Sequence, residues 1–361
     1  MIETDQLEVW NLSRGLVARS GAVDVFNVVG RLKVPRSVAS FTYRLNRGPE
    51  TPIFFVAKGS SSGRLRDAGD FSIDTIGLAD LEPENLLRLR IVREGGAEHE
   101  EQIRFRHRPF EGKEPRFRLD LAGIDAAEQV GQVVEGRWRV SADARGRSCL
   151  EIAPEDAGYD RIILFGRKDW TTGYEALTRL TVTRITGHHN VGVIFKWNPQ
   201  ARGDGAFLPE TWSTGLGYYC SYGRRAGIRL RFGVEVHVDE SGRKHGEYML
   251  AHRPLVSERR VLINHIADRM RLTRRASELR LHQEYRFRVR VHPRQYALTV
   301  WEASTPEPAA QLLVNDPVER LDMGAVGILA YNVGVQVHEF EVEPLHVGAP
   351  QPKVHAADAL V

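Results

Sequence analysis

The stretch "MGAVGILAYNVGVQVHEFEVEPL", residues 323–345, decides the fold because it combines alternating apolar residues with several glycines near the end of the chain. Val335 and Val337 stand two residues apart, and Phe340 and Val342 resume this spacing after a slip of one residue. A spacing of two is typical of a β-strand, and a one-residue slip is typical of a β-bulge. The stretch therefore predicts a final strand in which two faces are exchanged at a bulge or bend. Such a strand must pair with others.

Composition places the chain among soluble globular proteins. It has 361 residues, 42% of them hydrophobic and 27% charged, which is enough for two domains with separate cores. No apolar run is long enough to span a bilayer, and the N-terminus lacks the pattern of a signal peptide. We therefore expect no membrane span and a cytoplasmic location, with export by another route left open. Cys149 and Cys220 are expected to be buried thiols, a bridge between them being the less favoured alternative.

Short alternating runs separated by turn residues predict an all-β protein with two domains. Runs such as "VFNVVGRLKV", "FSIDTI" and "LLRLRIV" indicate an antiparallel sandwich over residues 1–110. The polar stretch 111–119 is interpreted as a linker. The pattern restarts over residues 120–347 with some ten strands, the number expected of a jelly roll, and residues 348–361 form a C-terminal tail.

One segment of the second domain has a helical period instead. Leu262, Ile266 and Met270 recur at a spacing of four, and Ser257 is a suitable N-cap. We expect one short amphipathic helix over residues 256–276, inserted into the second sandwich.

The second domain resembles the concanavalin A-like lectin/glucanase superfamily. The resemblance rests on "GRWRV", "CLEI", "YDRIILFGRKDWTTGYEALTRLTV", "NVGVIFKWN", "EYRFRVRVHPRQYALTVWE" and "GAVGILAYNVGVQVHEFEV". It implies a jelly roll whose last strand returns beside the first strands and whose ligand lies across the concave sheet. It also implies that structural calcium is possible, with no other cofactor. The first domain, through "VVGRLKVPRSVASFTYRLN" and the stretch 64–96, resembles an immunoglobulin-like domain of the type attached to carbohydrate enzymes.

The run "IRLRFGVEVHVDE", residues 228–240, contains the candidate catalytic residues. If the run forms one strand, its even-numbered residues from Ile228 to Val238 share one face. The opposite face then carries Arg229, Arg231, Glu235, His237 and Asp239. A glycosidase needs two carboxylates beside the scissile bond. Glu235, His237 and Asp239 resemble the Glu-x-Asp-x-x-Glu strand of β-glucanases, although His237 replaces the central Asp and the final Glu is missing. These three are the candidate catalytic residues if the protein is an enzyme.

Aromatic and cationic residues on neighbouring strands predict a glycan-binding groove. Aromatic rings stack on the apolar faces of sugars, and a strip of cations suits uronate or sulfate groups. The predicted substrate-binding residues are Lys196, Asn198, Trp212, Tyr219, Tyr222, Arg229 and Arg231. A polysaccharide lyase would use the same strip, with Tyr219 or His237 as base and Arg229 neutralising the carboxylate.

Three classes of function stay open. In the first, the protein binds a polysaccharide or oligosaccharide, and the cationic strip favours an acidic one. In the second, it is a glycoside hydrolase or polysaccharide lyase acting in the same groove. In the third, it is a non-catalytic interaction or assembly module. His188 and His189 are adjacent and do not have the spacing of metal ligands, so no metal site is predicted. From Arg253 to Arg290 there are eleven arginines against four acidic residues, but the aromatic interleaving of nucleic-acid modules is absent, and no nucleic-acid partner is expected. The oligomeric state is not predicted.

Overall fold

The structure is a computed structural model. It describes residues 1–22, 25–57, 65, 67–110, 116–156, 161–170, 173–198, 216–223, 227–232, 234–238, 244–248, 279–293, 295–310, 312–315 and 324–345. For residues 168, 186–190, 197–198, 312–315, 331 and the strands within 216–248, the backbone and register are described. The predicted helix over 256–276 lies outside the described residues.

The described residues form β-strands joined by turns and four 3₁₀ helices, so the all-β prediction is confirmed. The first strands are β1 (Ile2–Glu3), β2 (Leu7–Val9), β3 (Val17–Ser20), β4 (Val25–Leu32), β5 (Val38–Leu45), β6 (Thr51–Pro52), β7 (Phe54–Phe55), β8 (Asp70–Gly77), β9 (Glu84–Arg93) and β10 (Glu98–Pro109). They are followed by β11 (Phe117–Arg118), β12 (Gln132–Glu135), β13 (Trp138–Ala142), β14 (Ser148–Ile152), β15 (Arg161–Trp170), β16 (Tyr174–Asn198), β17 (Leu216–Gly223) and β18 (Gly227–Phe232). The last are β19 (Val234–Val238), β20 (Lys244–Tyr248), β21 (Glu284–His292), β22 (Gln295–Glu302), β23 (Leu312–Asn315) and β24 (Gly324–Pro344). The 3₁₀ helices span Pro35–Ser37, Leu78–Asp80, Ala127–Gln129 and Pro154–Asp156.

The N-terminal part is a sandwich of two five-stranded sheets. Their strand orders are β1-β2-β4-β8-β7 and β3-β10-β9-β5-β6. The sheets meet through aromatic contacts such as that of Phe41 with Phe71, whose ring centroids lie 5.0 Å apart. Leu87, Leu89 and Ile91 are each 0% exposed, as the alternation in "LLRLRIV" predicts. The immunoglobulin-like assignment of this sandwich stays a prediction.

The second part is built on two long strands, β16 and β24, which pair along most of their length. β12, β15, β17 and β18 continue the sheet beside the half of this pair formed by residues 190–198 and 324–331, here called half-sheet A. β11, β13, β14, β21, β22 and β23 continue it beside the half formed by 174–185 and 333–344, here called half-sheet B. One apolar core holds side chains of both halves, and the rings of Phe195 and Tyr296 meet across it at 5.1 Å.

The bulge expected in the final strand is confirmed. Arg179 pairs with Glu339 and Leu180 pairs with Val337, so His338 is the extra residue of β24. Because of this bulge, Val335, Val337, Phe340 and Val342 all lie in the same core at 0% exposure. The slip in the sequence therefore keeps one apolar face continuous, and it gives His338 a position of its own.

The two sandwiches are joined by a buried polar interface. Asn27 Nδ2 donates to the carbonyl oxygens of Val133 and Val134, at 2.8 and 3.2 Å. Asn11 Nδ2 donates to the Val133 carbonyl at 3.1 Å, and Gln132 Nε2 donates to Asn27 Oδ1 at 3.1 Å. Asn11, Asn27 and Gln132 are at most 5% exposed. Buried amides need such partners, so this network specifies one docked arrangement of the two sandwiches.

Apolar and cationic contacts extend the same interface. Trp10 of the first sandwich belongs to the core of the second. The guanidinium of Arg137 lies 4.7 Å from the centroid of the Trp10 ring, and it also forms an ion pair with Glu8 at 2.6 Å. A second apolar cluster combines residues of the N-terminal part with the outer side of half-sheet A: Ala22, Val25, Phe110, Val134, Ile162, Leu164, Ile194, Ala325 and Leu329. The N-terminal sandwich thus covers part of this outer side.

Two predictions at the level of strands need correction. The run 228–238 is not one strand: β18 belongs to half-sheet A, whereas β19 pairs with β20 in a separate two-stranded sheet. β18 ends at Phe232 and β19 begins at Val234, and the glycine at position 233 between them lies outside the described residues. Within the expected linker, Phe117 and Arg118 form strand β11 and pair with Val342 and Glu341.

Candidate functional site

The outer face of half-sheet B, directed away from the shared core, carries a network of arginines and acidic residues. Alternation along β21 buries Tyr285, Phe287 and Val289 in the core and leaves the residues between them on the outer face. The same alternation applies to β16 and to the end of β24. The charged side chains of this face include Asp143, Arg147, Glu175, Arg179, Glu284, Arg286, Arg288, Arg290, Glu307, Glu339, Glu341 and Glu343.

One end of the face is an ion-pair cluster around Glu284. Arg179 donates to Glu284 Oε2 and to Glu339 Oε1, both at 2.8 Å. Arg147 donates to Asp143 Oδ2 at 2.8 Å and also to Glu284. Although burial raises the pKa of Asp143, hydrogen bonds from Arg147 and Arg145 outweigh it and lower that pKa to about 2. The pKa of Glu284 is lowered as well, because Arg147 and Arg179 outweigh its burial.

The bulge residue His338 completes this cluster. Its side chain is 3% exposed, its Nδ1 lies 3.7 Å from Asp143 Oδ2, and its Nε2 lies 2.9 Å from Thr181 Oγ1. Burial lowers the pKa of His338, with Arg179 and Arg147 adding to the effect. A carboxylate, an imidazole and a hydroxyl in this sequence of contacts form the arrangement in which a histidine base activates a hydroxyl as a nucleophile. Thr181 is, however, only 7% exposed, so the arrangement is a buried hydrogen-bonded group and not an accessible nucleophile.

Asp143, Glu284 and His338 also form a group of potential metal ligands, with donor atoms within 4.8 Å of one another. The donors do not fit calcium. Both carboxylates already accept hydrogen bonds from Arg147, and calcium prefers oxygen ligands to an imidazole. A cation here would also lie beside Arg179. Among the described residues, this group therefore provides no calcium site.

The other end of the face is a second ion-pair cluster. Glu175 accepts from Arg288 at 2.5 Å and from Arg290 at 3.1 Å. Glu307, in the turn after β22, pairs with the same two arginines at 3.2 and 2.9 Å. Each of these four side chains is less than 30% exposed. The two acids and two arginines therefore balance one another.

Arg286 lies between the two clusters and forms no ion pair with a carboxylate of the described residues. Burial raises the pKa of Glu339, but the hydrogen bond and charge of Arg179, followed by the charge of Arg286, lower it. Arg286 is half-buried, and its Cα partners are Arg179 on β16 and Trp301 on β22. Among the described residues it makes no hydrogen bond or ion pair, and its Nε is buried without an acceptor. The nearby acids are occupied: Glu284 and Glu339 are bound by Arg179. Arg286 is thus a cation held in the middle of the face and available to an anion from solution.

Lys196, predicted to lie in an exposed cationic strip, is buried. It is 0% exposed, and its Nζ lies 5.5 Å from the Tyr296 ring centroid. The cause is a bulge, since Ile194 and Trp197 pair with Gly327 and Ala325, which leaves one extra residue in β16. Lys196 takes a φ of 51° at this point. Its assignment to a substrate-binding strip is therefore wrong.

The other predicted binding residues are placed by register. Tyr219 pairs with Ile194 on one side and with Arg231 on the other, and Arg229 pairs with Ser221. Ile194 belongs to the apolar cluster that the N-terminal sandwich covers. The face of half-sheet A that carries Ile194 is therefore not an open groove at this position. Tyr222 pairs with Val191 and lies on the opposite face from Tyr219. Asn198 pairs with Leu216. Trp212 lies outside the described residues.

The candidate catalytic residues fall on the separate hairpin. Glu235 and His237 lie on β19, opposite Glu247 and His245 of β20. Asp239 lies outside the described residues. Because β19 does not pair with β18, Glu235 and His237 do not continue the strand face of Arg229 and Arg231.

Arg286 was not singled out from the sequence as a binding residue, although a signal for it exists. The run "EYRFRVRVH" alternates arginines with apolar residues, which predicts a strand with a cationic face. The run does not reveal which arginine is left without a partner. That depends on the acids of β16, β24 and the turn holding Glu307.

No protein-family model matches the chain, and no curated protein matches it. Solved structures match it with low similarity. A Bacillus subtilis protein of unknown function with a galectin-like fold is 10% identical, with a TM-score of 0.37, over 63% of this chain and 94% of that chain. The Ca²⁺-bound VIP36 exoplasmic/lumenal domain is 8% identical, with a TM-score of 0.35, over 67% and 90%. The GH43 protein BlXynB from Bacillus licheniformis is 10% identical, with a TM-score of 0.32, over 94% and 64%.

At TM-scores below 0.5 these likenesses carry no argument about function, and the all-β fold rests on the strands and cores described above. In the described part of the chain, no helix has the length and apolar character needed to cross a membrane.

Proposed function

We propose that the protein binds an acidic glycan on the outer face of half-sheet B. The observation that carries the proposal is Arg286, a half-buried arginine that forms no ion pair among the described residues, on a face where Arg179, Arg288 and Arg290 are all paired with carboxylates. A planar guanidinium binds a carboxylate through two parallel hydrogen bonds, so a uronate group is a suitable ligand.

The surroundings of Arg286 favour a glycan over other anions. The acids Glu175, Glu284, Glu307 and Glu339 are interspersed with the arginines, which disfavours a polyanion such as nucleic acid. A uronate-containing glycan combines spaced carboxylates with hydroxyls, and these hydroxyls can donate to the carboxylates of the face. Trp301 is only 7% exposed, and the guanidinium of Arg288 lies over its ring, 6.0 Å from the ring centroid. This cation–π contact holds Arg288 in place on the face.

The test is a calorimetric titration of uronate-containing and neutral oligosaccharides of matched length. We expect binding of the uronates alone, weakening as salt screens the charges. Arg286→Ala should lower uronate affinity about tenfold to 100-fold, the loss of a charge-assisted hydrogen-bonded pair. Arg290→Ala is the matched control, because Arg290 lies on the same strand and face but is already paired with Glu175 and Glu307.

Equal affinity for neutral and acidic sugars, or an unchanged affinity in Arg286→Ala, would refute this site. Arg229→Ala, Arg231→Ala and Tyr219→Ala belong in the same series, since they test the strip predicted on β17 and β18. A loss confined to these three would place the acidic glycan on half-sheet A. Analysis of products in the same mixtures determines whether any bound glycan is also cleaved.

A further inference from the structure

The N-terminal sandwich has a pocket on the outer face of the sheet formed by β3, β10, β9, β5 and β6. Along β9, Leu87, Leu89 and Ile91 are buried in the sandwich core, so the arginines between them lie on the outer face. The pocket has a volume of about 240 Å³. Drug-sized ligands occupy about 300–1,000 Å³, so this pocket suits a small ligand. Its lining includes Thr42, Arg44, Glu50, Arg88, Arg90 and Glu100.

Two arginines of the pocket stand directly opposite each other. Arg44 on β5 pairs in register with Arg88 on β9, and Cβ atoms at such positions lie about 4.5–5.5 Å apart. Like charges at directly paired positions destabilise a sheet. Arg88 is half-buried, donates to the Asn46 carbonyl oxygen at 3.2 Å, and forms no ion pair in the described part of the chain. Its partner on β10 is Gln102, which is neutral. The middle of the pocket is therefore cationic.

The carboxylates of the pocket neutralise this arginine pair only in part. Arg44 lies 3.6 Å from Glu50, and the same carboxylate accepts from Thr42 at 2.6 Å and from Arg90 at 3.4 Å. The hydrogen bond from Thr42, followed by the hydrogen bond and charge of Arg90, lowers the pKa of Glu50, so this group is ionised but shared among three donors. Glu100 pairs in register with Arg90. Both acids therefore lie beside Arg90, and the arginine pair keeps a net positive charge.

We propose that this pocket binds a tetrahedral oxyanion, the phosphate or sulfate group of a small ester, between Arg44 and Arg88. One guanidinium is enough to engage both oxygens of a planar carboxylate, whereas two guanidinia on neighbouring strands can bind different oxygens of a group with three terminal oxygens. The charge of the ester relieves the repulsion between the two arginines. Glu50 and Glu100 disfavour a polyanion and are acceptors for hydroxyls of the ester's alcohol part. The site lies in the N-terminal sandwich and does not depend on glycan binding at Arg286.

The test is a calorimetric titration of the full chain with a hexose phosphate and the corresponding hexose sulfate, with the free hexose as neutral control. We expect both esters to bind at one site, more weakly as salt increases, and the free hexose not to bind. The second pKa of a phosphate ester is about 6, whereas a sulfate ester keeps its charge in acid. A preference for phosphate that disappears below about pH 6 assigns the pocket to phosphate esters. A preference for sulfate at every pH assigns it to sulfate esters.

Variants separate this pocket from other cationic surfaces. Arg88→Ala should lower ester affinity about tenfold to 100-fold, because a charge-assisted pair is lost. Arg88→Lys should restore only part of it, since an ammonium lacks the two parallel donors. Arg108→Ala is the matched control, because Arg108 is an exposed arginine of β10 outside the pocket lining. Arg286→Ala should also leave ester affinity unchanged, so that this proposal and the glycan proposal fail independently.

Arg44→Gln keeps the test decisive if the Arg88 variants do not fold. This side chain is 49% exposed, so its replacement should be tolerated. The variant should lose ester affinity while its melting temperature without ligand stays the same or rises slightly, because a like-charge repulsion is removed. No ester binding in the wild type, unchanged binding in Arg88→Ala or Arg44→Gln, or binding lost in Arg108→Ala or Arg286→Ala would overturn the proposal.

Discussion

Two cationic residues of this protein lie in opposite environments because of where the backbone places them. Lys196 stands at a β-bulge, and the irregular register there puts its side chain in the core beside Tyr296. Arg286 stands in a regular strand, and alternation puts it on the outer face. The residue type therefore does not determine whether a cationic side chain is buried in the core or lies on an outer face. Local strand geometry does.

These two positions predict opposite outcomes on substitution. Lys196→Ala should lower the free energy of unfolding by about 2–5 kcal/mol, because it leaves a cavity against Tyr296, and should not change the glycan affinity of the folded protein. Arg286→Ala should change glycan affinity with little effect on unfolding, because it removes no ion pair. Denaturant unfolding and calorimetry on both variants make the comparison. A Lys196→Ala variant that stays stable but loses glycan would contradict the buried placement.

At the scale of elements, irregularities in the two long strands position the polar groups. The extra residue in β24 places His338 between Asp143 and Thr181, at 3.7 and 2.9 Å. Arg147, Arg179 and Glu284 face the same cluster from the β13–β14 turn, β16 and β21. A bulge is suited to this role, since it turns one side chain away from the alternation of its neighbours.

The pKa of His338 leads to a prediction about pH. Burial lowers this pKa, so in acid the unfolded chain binds a proton that the folded protein does not. The free energy of unfolding should therefore fall as the pH drops below about 6.5, by up to about 1.4 kcal/mol per pH unit for each such histidine. His338→Gln should make this dependence shallower between pH 7 and 5.

His292→Gln is the comparison variant, since burial and Arg290 also lower the pKa of His292, which lies outside the cluster. Each variant should remove the part of the pH dependence of the free energy of unfolding that its own histidine contributes. Below pH 4 both should still lose stability, because the lowered pKa values of Asp143, Glu284 and Glu339 stabilise the fold only while these groups are ionised. An unchanged slope in His338→Gln would show that this imidazole titrates normally in the folded protein.

At the scale of the whole molecule, the two sandwiches form one docked unit. Asn11, Asn27 and Gln132 exchange buried hydrogen bonds across the interface, and Trp10 belongs to the core of the second sandwich. The apolar cluster with Ile194 continues this contact on half-sheet A. The N-terminal sandwich is therefore part of the packing of the second one and not a separate spacer.

Cleavage between the two sandwiches tests this conclusion. With a specific protease site introduced within residues 111–115, the cleaved fragments should elute together in size-exclusion chromatography. Asn27→Ala should weaken their association by about 1–3 kcal/mol, because it removes the buried hydrogen bonds of Asn27 to the Val133 and Val134 carbonyls and to Gln132. Asn46→Ala, which removes a hydrogen bond within the first sandwich, is the control and should leave the fragments associated. Fragments that separate in the wild type would contradict the docked arrangement.

The sequence by itself determined the strand content, the two sandwiches and the bulge in the last strand, because alternation of apolar residues is a local property that one chain displays directly. It also indicated a cationic face on β21. Only the tertiary structure decided that Lys196 is buried, that the run 228–238 is divided between two sheets, and that Arg286 is the arginine of β21 that forms no ion pair among the described residues. The reason is physical: burial at a bulge and the pairing of charges depend on neighbours more than 100 residues away in the chain, such as Glu339 for Arg179. No periodicity in the sequence records which of those neighbours meet.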